Sequence, residues 1–234
     1  MTRLRLWLKE FNALTPKDLR LLMWLGFTLL FLGLFLKVTW ELHEDSNLDS
    51  LDRNILIFIS KLRVSAFNGM AVDMTALGSP TVIVLFTIIG LVFLWLNHDR
   101  RGCAYLASGS AGAGIGTFIM KHLFTRERPS GVPRLVEVSG FSYPSGHSLA
   151  ATSLYLLFIF LAWRHYPAWR ARVVLLMCAD VLIGGVCFSR LYLGVHYPSD
   201  VLSGACLGAA WVFLLTAYFS RVGNRGLANP AARK

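Results

Sequence analysis

Long runs of apolar residues divide this chain of 234 residues and constrain its fold more than any other feature. A bilayer core is about 30 Å thick, and an α-helix needs about 17–25 apolar residues to cross it. Six stretches approach that length, at about residues 21–40, 80–97, 103–121, 147–163, 173–189 and 200–219. Within the first stretch, the apolar run from Leu21 to Leu36 is followed by Lys37 and Glu41 with no small-residue cleavage site, which is not typical of a signal peptide. The sequence therefore predicts an all-α integral membrane bundle of about six transmembrane helices.

The composition supports one membrane domain over residues 1–234. Hydrophobic residues make up 55% of the chain and charged residues 15%, against about 25% charged in soluble domains. The net charge of +10 could indicate nucleic-acid binding, but the basic residues flank the apolar runs, so no nucleic-acid partner is expected. The four cysteines lie inside apolar runs without C-x-x-C spacing, so we expect small buried residues and no zinc site.

The basic residues predict the orientation of the chain. Fourteen of the 23 Lys and Arg residues fall in the N-terminal segment, the loops after the second and fourth spans, and the C-terminus. The positive-inside rule places these parts in the cytoplasm. The chain is thus predicted to be a multi-pass protein of the cytoplasmic (inner) membrane, with cytoplasmic tails at 1–19 and 221–234. Segments 41–79, 122–146 and 190–199 face outward.

Two regions have an unusual pattern. Segment 41–79 is too long for a plain connection, and its apolar part, residues 55–63, is expected to form a helix at the outer interface or to re-enter the membrane. The third span contains the small-residue run 107–116, which favours a helix packed tightly in the middle of the bundle.

Three polar clusters stand at the ends of spans, and all three fall on the outward side. They run from Lys121 to Pro129, from Tyr143 to His147 and from Ser189 to Asp200. Lys121, Arg128 and Arg190 would share one depth of the bilayer, where three cations repel one another unless an anion lies between them. Arginine binds phosphate oxygens through two parallel hydrogen bonds, and lysine acts as a point charge. The clusters therefore predict a phosphate site.

The Pro-Ser-Gly-His sequence at 144–147 is typical of a helix start. Pro144 is expected at the first helical position, which leaves free N–H groups and a positive dipole to bind an anion. Gly146 would let the backbone approach a phosphate, and Ser145 adds a hydroxyl donor.

His196 and Asp200 are four residues apart, and Pro198 indicates that a helix starts near them. If the segment is helical, the carboxylate accepts from one imidazole nitrogen and leaves the other as a nucleophile. His147 remains for acid–base chemistry. Taken alone, Asp200 is equally typical of a helix cap, and Lys121 of an interfacial lysine. Their combination on one face indicates a catalytic site.

In order along the chain, the motifs K-x6-R-P, P-S-G-H and S-R-x5-H-x3-D resemble the signature of the type 2 phosphatidic acid phosphatase superfamily, which includes vanadium haloperoxidases and bacterial acid phosphatases. The resemblance covers about residues 50–220. It implies a membrane lipid phosphatase in which His196 attacks phosphorus, Asp200 orients it and His147 protonates the leaving group. It also implies, with no metal and no other cofactor, that the phosphoryl oxygens are held by Lys121, Arg128, Ser145, Gly146 and Arg190.

Two other functions stay open at this point. A phosphotransferase of the same fold would pass the phosphate to a lipid or sugar acceptor. An anionic-lipid transporter would not need His196 and Asp200 at this spacing, and it would tend to show internal repeats. The expected partner is a lipid phosphate among membrane lipids. Phosphatidic acid, phosphatidylglycerophosphate, undecaprenyl diphosphate and lipid A phosphates all fit the motifs, and we favour the second and third.

Three further polar residues belong to no motif. Asp180 lies in the middle of the fifth span, where an ionised acid costs about 2.5–3.5 kcal/mol on insertion scales, so we expect it to pair with a neighbour or to be protonated. Arg126 and Glu127 lie beside motif residues, and we expect them in a solvated loop in preference to the substrate headgroup.

Overall fold

The computed structural model describes residues 15–44 and 47–225, and every regular element within them is a helix. The eight helices are α1 (Pro16–His43), α2 (Asn47–Lys61), α3 (Ser65–Ala76), α4 (Pro80–Leu96), α5 (Arg100–Leu123), α6 (Gly146–Ala162), α7 (Trp169–Tyr192) and α8 (Pro198–Arg225). The predicted all-α bundle is confirmed. Parts of both predicted tails, 16–19 and 221–225, are helical, and residues 1–14 and 226–234 lie outside the described residues.

Each predicted span coincides with a helix, but the helices differ in their capacity to cross a bilayer. Helices α1, α5, α7 and α8 are each long and apolar enough to do so. Helices α3 and α4 meet this criterion only as a pair, with a bend of 46° between them, and α6 is shorter, at 17 residues. By length and composition, the described residues thus contain four candidate spans, or five if the bent pair is one, and the predicted count of six is not confirmed.

Segment 41–79 forms two helices, α2 and α3. Most of the predicted interfacial stretch, residues 55–61, belongs to α2, which buries Leu56 and Ile59 together with an acid, Asp52. Helix α2 packs against the ends of α7 and α8, and α3 packs along α7. This segment therefore covers the end of the bundle where the polar clusters lie.

The centre of the bundle is α6, in which twelve of 17 residues are buried. It packs closely against α8 because Gly204 and Gly208 bring the two backbones together, as in other small-xxx-small contacts. A Cβ added at Gly208 would lie 2.7 Å from the Leu149 carbonyl oxygen, and one added at Gly204 would overlap the Ser145 carbonyl oxygen.

Helix α5 does not lie at the centre, so the prediction for the third span is wrong. Its buried residues number five, fewer than half as many as in α6. Within the run 107–116, Ala107, Ala111 and Gly114 are exposed and line a cavity. Small side chains leave open space as readily as they admit a neighbouring helix, and the sequence does not distinguish the two outcomes.

The outer faces of the long helices are strongly apolar, as a lipid environment requires: Leu29 on α1 and Val181 on α7 are both 69% exposed. Asp180 is also exposed on α7 and makes no hydrogen bond or ion pair with any described residue, so of the two expected outcomes the structure does not show pairing, and protonation stays a prediction. Of the four cysteines, all free, only Cys206 is buried and Cys178 is exposed, which corrects the prediction that all four are buried.

The close contact between α6 and α8 gives a test of the packing. We expect Gly208→Ala to destabilise the protein by about 1–3 kcal/mol, because the added methyl group meets backbone that cannot move aside cheaply. Thermal denaturation in detergent measures this as a lower midpoint. Gly116→Ala on α5 is the matched control, since a Cβ there meets nothing within 4 Å. Equal midpoints for the two variants would contradict the proposed tight packing.

Candidate active site

A cavity of about 900 Å³ opens between α4, α5 and α6 at the ends of α5 and α7. Six of the eight predicted site residues line it, namely Lys121, Arg128, Gly146, His147, Arg190 and His196. The other two, Ser145 and Asp200, are fully buried beside Gly146 and His196. The structure thus brings three clusters that are distant in sequence to one cavity.

The turn after α7 explains how Arg190 and His196 reach the same cavity. Gly194 follows the helix with a φ of +73°, a left-handed conformation that glycine adopts without strain. The N–H of Gly194 donates to the Leu191 carbonyl at 3.0 Å, and that of Val195 donates to the Arg190 carbonyl at 3.2 Å. The chain therefore reverses within a few residues.

His196 lies in this turn, and Asp200 lies in the first turn of α8, which begins at Pro198 as predicted. The imidazole Nδ1 is 3.5 Å from Asp200 Oδ2, although the histidine precedes the helix and does not share a helical face with the acid. The same oxygen accepts the backbone N–H of Tyr197 at 2.8 Å. Asp200 is therefore both a helix-capping residue and the neighbour of His196, so the two explanations hold together.

Arg128 fixes the other side of the imidazole. Its guanidinium donates to the carbonyl oxygens of Gly140 at 2.9 Å, Ser139 at 3.1 Å and Val195 at 2.9 Å. Its Nη1 also lies 3.3 Å from His196 Nε2. Because arginine only donates, Nε2 must accept, and the ring hydrogen therefore resides on Nδ1, facing Asp200. This tautomer directs the Nε2 lone pair to the Arg128 guanidinium at the cavity wall.

The charge state of His196 follows from its surroundings. Burial lowers the pKa of its imidazole to about 4, and the cations Arg190 and Arg128 act in the same direction while Asp200 opposes them. A depressed pKa means that the ring is neutral above about pH 4. At neutral pH Nε2 is therefore unprotonated and accepts its hydrogen bond from Arg128.

The N-terminus of α6 forms another wall. Ser145 is the N-cap and accepts from the backbone N–H of Ser148 at 3.4 Å and from the Ser148 hydroxyl at 2.9 Å. Pro144 therefore precedes the cap, so the prediction that it occupies the first helical position is wrong: serine is the stronger N-cap residue. Gly146 and His147, the first residues of the helix, line the cavity, and N–H groups in the first turn of a helix have no partner within the helix.

The two remaining cations come from helix ends. Arg190 is 3% exposed, and its Nη1 donates to the Thr75 hydroxyl of α3 at 2.7 Å. Its Nε has no hydrogen-bond partner among the described residues. Lys121 lies half-buried in the last turn of α5. Both side chains thus keep N–H groups for a ligand in the cavity.

The sequence did not identify Arg126 as part of this site. It was expected in a solvated loop, but its guanidinium lies among carboxylates, 2.7 Å from Asp200 and 2.8 Å from Asp52. Burial alone would lower the pKa of Arg126, but Asp200 and Asp52 raise it above its ordinary value. No spacing rule links residues so far apart in the sequence. The one available signal was Asp52, an acid on the apolar side of α2. Glu127 is exposed, as expected.

Metal ligands do not cluster in the part of the chain that the structure describes. No group of three or more His, Cys, Asp or Glu side chains there is arranged to hold a metal ion. The positive charges in the cavity wall come instead from Lys121, Arg128 and Arg190.

Comparison with known proteins connects this geometry to a family. The family model of the PAP2 superfamily matches residues 102–223, just over half of the chain. The chain is 29% identical over 190 residues to phosphatidylglycerophosphatase B of Bacillus subtilis, which covers 80% of this chain and 92% of that protein. It is 26% identical over 178 residues to the undecaprenyl-diphosphatase of Sulfolobus acidocaldarius, covering 73% of this chain and 80% of the relative.

The fold is also similar to that of a solved structure. A transmembrane PAP2-type phosphatidylglycerolphosphate phosphatase from Bacillus subtilis superposes with a TM-score of 0.74 at 25% identity. The match covers 85% of this chain and 96% of the other.

The anchoring of Arg128 generates a test. Arg128→Lys keeps the charge but cannot reach three carbonyls and Nε2 at once, so we expect turnover of a lipid phosphate to fall by about 10²- to 10³-fold. Arg134→Lys is the matched control, because Arg134 lies in the same loop and does not line the cavity. Near-normal turnover by the Arg128 variant would mean that this arginine is merely interfacial.

Proposed function

This chain belongs to the PAP2 superfamily, and from that premise we propose that it removes phosphate from a membrane lipid through a covalent intermediate on His196. It is a multi-pass membrane enzyme of the lipid phosphatase class, as its phosphatase relatives and apolar helices indicate. The observation that carries the mechanism is the position of His196, with Nε2 beside Arg128 at 3.3 Å and Nδ1 beside Asp200 at 3.5 Å.

In the first step, Arg128 transfers its Nη1 hydrogen bond from Nε2 to a phosphoryl oxygen, the Nε2 lone pair of His196 attacks phosphorus, and the bond to the leaving oxygen breaks. The imidazole becomes positively charged as the N–P bond forms, and the carboxylate of Asp200 stabilises that charge and holds the ring in orientation. His147, which is protonated once the phosphate dianion lies among the three cations, donates that proton to the leaving oxygen. A water molecule then attacks the phosphohistidine, with His147 now accepting a proton, and releases inorganic phosphate.

Phosphoryl transfer depends on positioning and on stabilising charge at the phosphoryl oxygens. We assign this role to Lys121, Arg128 and Arg190, together with the N–H groups at Gly146 and His147. Ser145 contributes its hydroxyl: both of its hydrogen bonds to Ser148 are accepted, which leaves its own hydrogen to donate. Three cations and a helix N-terminus provide the charge stabilisation that a metal ion supplies in other phosphotransfer enzymes.

The rest of the cavity supports a lipid as substrate. Below the cations its wall consists of apolar side chains of α4, including Ile83, Val84 and Ile88, and of small side chains of α5. An apolar chain attached to the phosphate would lie along this wall. Among the substrates that the motifs allow, phosphatidylglycerophosphate and undecaprenyl diphosphate are those named by the relatives that match most of the chain. Transport alone would not use a histidine held between an acid and an arginine.

We further propose that the enzyme resides in the cytoplasmic membrane, with both termini in the cytoplasm and the cavity facing outward. The distribution of Lys and Arg residues supports this orientation. The substrate phosphate would then be presented at the outer leaflet.

The two histidines can be distinguished by their chemistry. His196→Ala should form no covalent phosphoenzyme, because the nucleophile is absent. His147→Ala should be slow with an alkoxide leaving group but recover partly with p-nitrophenolate, which needs little protonation. The measurements are acid-quenched labelling with a radioactive phosphoryl donor and phosphate release from phosphatidylglycerophosphate, undecaprenyl diphosphate and p-nitrophenyl phosphate.

His122→Ala is the matched control, because His122 is exposed on α5 and, among the described residues, its hydrogen bond and ring contact are both with Phe118 of its own helix. It should label and turn over normally. Labelling of the His196 variant, or a His147 variant that gains nothing from the better leaving group, would show that the assigned roles are wrong or exchanged.

The orientation has a separate test in a variant without the native cysteines. Ser130→Cys, in the loop between α5 and α6, should react with an impermeant maleimide in intact cells. Pro167→Cys, between α6 and α7, should react only after the cells are permeabilised. The opposite labelling pattern would reverse the topology and place the site in the cytoplasm.

A further inference from the structure

Arg126 makes more ionic contacts than any other side chain among the described residues. Nη1 donates to Asp200 Oδ1 and to the Ser199 hydroxyl, both at 2.7 Å. Nη2 donates to Asp52 at 2.8 Å and to Asp49 at 2.7 Å. The guanidinium also lies over the Tyr197 ring, 4.2 Å from its centroid. All four N–H groups on Nη1 and Nη2 are therefore occupied, so this pair of nitrogens is not free to bind a phosphate.

Asp52 connects helix α2 to the first turn of α8. It is 1% exposed, and its Oδ1 accepts the backbone N–H of Ser199 at 2.9 Å. Its Oδ2 accepts the Ser199 hydroxyl as well as Arg126. Asp49, by contrast, is 52% exposed and contacts Arg126 but not α8. Of the two acids on α2, only Asp52 is built into the polar network behind the cavity.

We propose that Asp52 and Arg126 are positioning residues, which hold Asp200 in the orientation that it needs to act on His196. With Oδ1 bound to Arg126, the other oxygen of Asp200 is directed to the Tyr197 N–H, the Ser142 hydroxyl and the imidazole. Asp52 in turn fixes Arg126 and the start of α8. This role rests on the proposed function and assigns segment 47–61 to the catalytic machinery.

The physical reason is the burial of Asp200. Its side chain is inaccessible to solvent, and a buried carboxylate needs both a counter-charge and hydrogen bonds to remain ionised. Arg126 is its one ion-pair partner other than His196 among the described residues. Without that cation the carboxylate would gain a proton or turn to another donor, and it would no longer stabilise an imidazolium.

The test is a double-mutant cycle on the intact protein, measured as phosphate release from the lipid substrate that the wild type turns over fastest. Asp52→Asn should lower kcat by about 10- to 100-fold. KM should change by less than about threefold, because the cations that bind phosphate are untouched. Asp49→Asn, the matched control on the same helix, should lose at most about threefold, as an exposed ion pair contributes little.

The second arm separates positioning from general destabilisation. If Asp52 acts through Asp200, adding Asp52→Asn to Asp200→Asn should change kcat by less than about threefold, since the path through Asp200 is already lost. Multiplying losses would overturn the proposal and leave Asp52 a structural residue. If Asp52→Asn yields no folded protein, Arg126→Lys replaces it in the same double-mutant cycle with Asp200→Asn. This variant keeps the positive charge but loses the two-nitrogen geometry of the guanidinium, and non-additive losses in kcat would again support positioning through Asp200.

The outcomes also separate this inference from the proposed function. A wild type that releases phosphate and loses labelling only in His196→Ala, together with an Asp52→Asn enzyme of normal kcat, would overturn the positioning role alone. A wild type with no phosphatase activity on any lipid phosphate tested would overturn both.

Discussion

The carboxylate of Asp200 is the group on which the site depends, because it is fully buried and its neighbours are arranged to bind it. One oxygen binds Arg126, and the other accepts the Tyr197 N–H and the Ser142 hydroxyl and faces His196. Removing a carboxylate from water costs several kcal/mol unless it is paired and hydrogen-bonded. The partners come from the 124–145 loop and from the start of α8, so satisfying this one charge fixes both segments and the orientation of the imidazole.

The site separates its charges between two sides of His196. Lys121, Arg128 and Arg190 face the cavity, whereas Asp52 and Asp200 lie behind the histidine. The one acid that lines the cavity, Glu137, is exposed and forms no ion pair with any described residue. The cavity cations are therefore not neutralised by the acids that stabilise the fold, and the cavity attracts an anion. Burial keeps the imidazole neutral and adds no fourth positive charge to the wall. An arrangement with the acids in the cavity would have bound the same cations internally and left none for phosphate.

The sequence was sufficient to predict the residues that meet in the cavity, because each motif is contiguous and each stands at the end of an apolar run. It was not sufficient for contacts between distant segments. Asp52 and Arg126 are 74 residues apart, and Thr75 and Arg190 are 115 apart, and no spacing rule connects either pair. The start of α6 was misplaced because Pro144 and Ser145 are both helix-start residues, and only the backbone decides which one is the cap.

The small residues of α5 show why packing was harder to predict than chemistry, since they serve two faces of one helix. Gly109 and Gly112 face inward, where a Cβ would overlap the side chains of Leu157 and Trp211, so these glycines permit close packing. Gly114 has no neighbour within 4 Å of an added Cβ, and it borders the cavity. The first face holds α5 against the centre of the bundle, and the second leaves room beside α4. The cavity therefore has a cationic end and an apolar wall, which match the two parts of a lipid phosphate. The phosphate would bind the cations, and the lipid chain would occupy the space that the small residues leave.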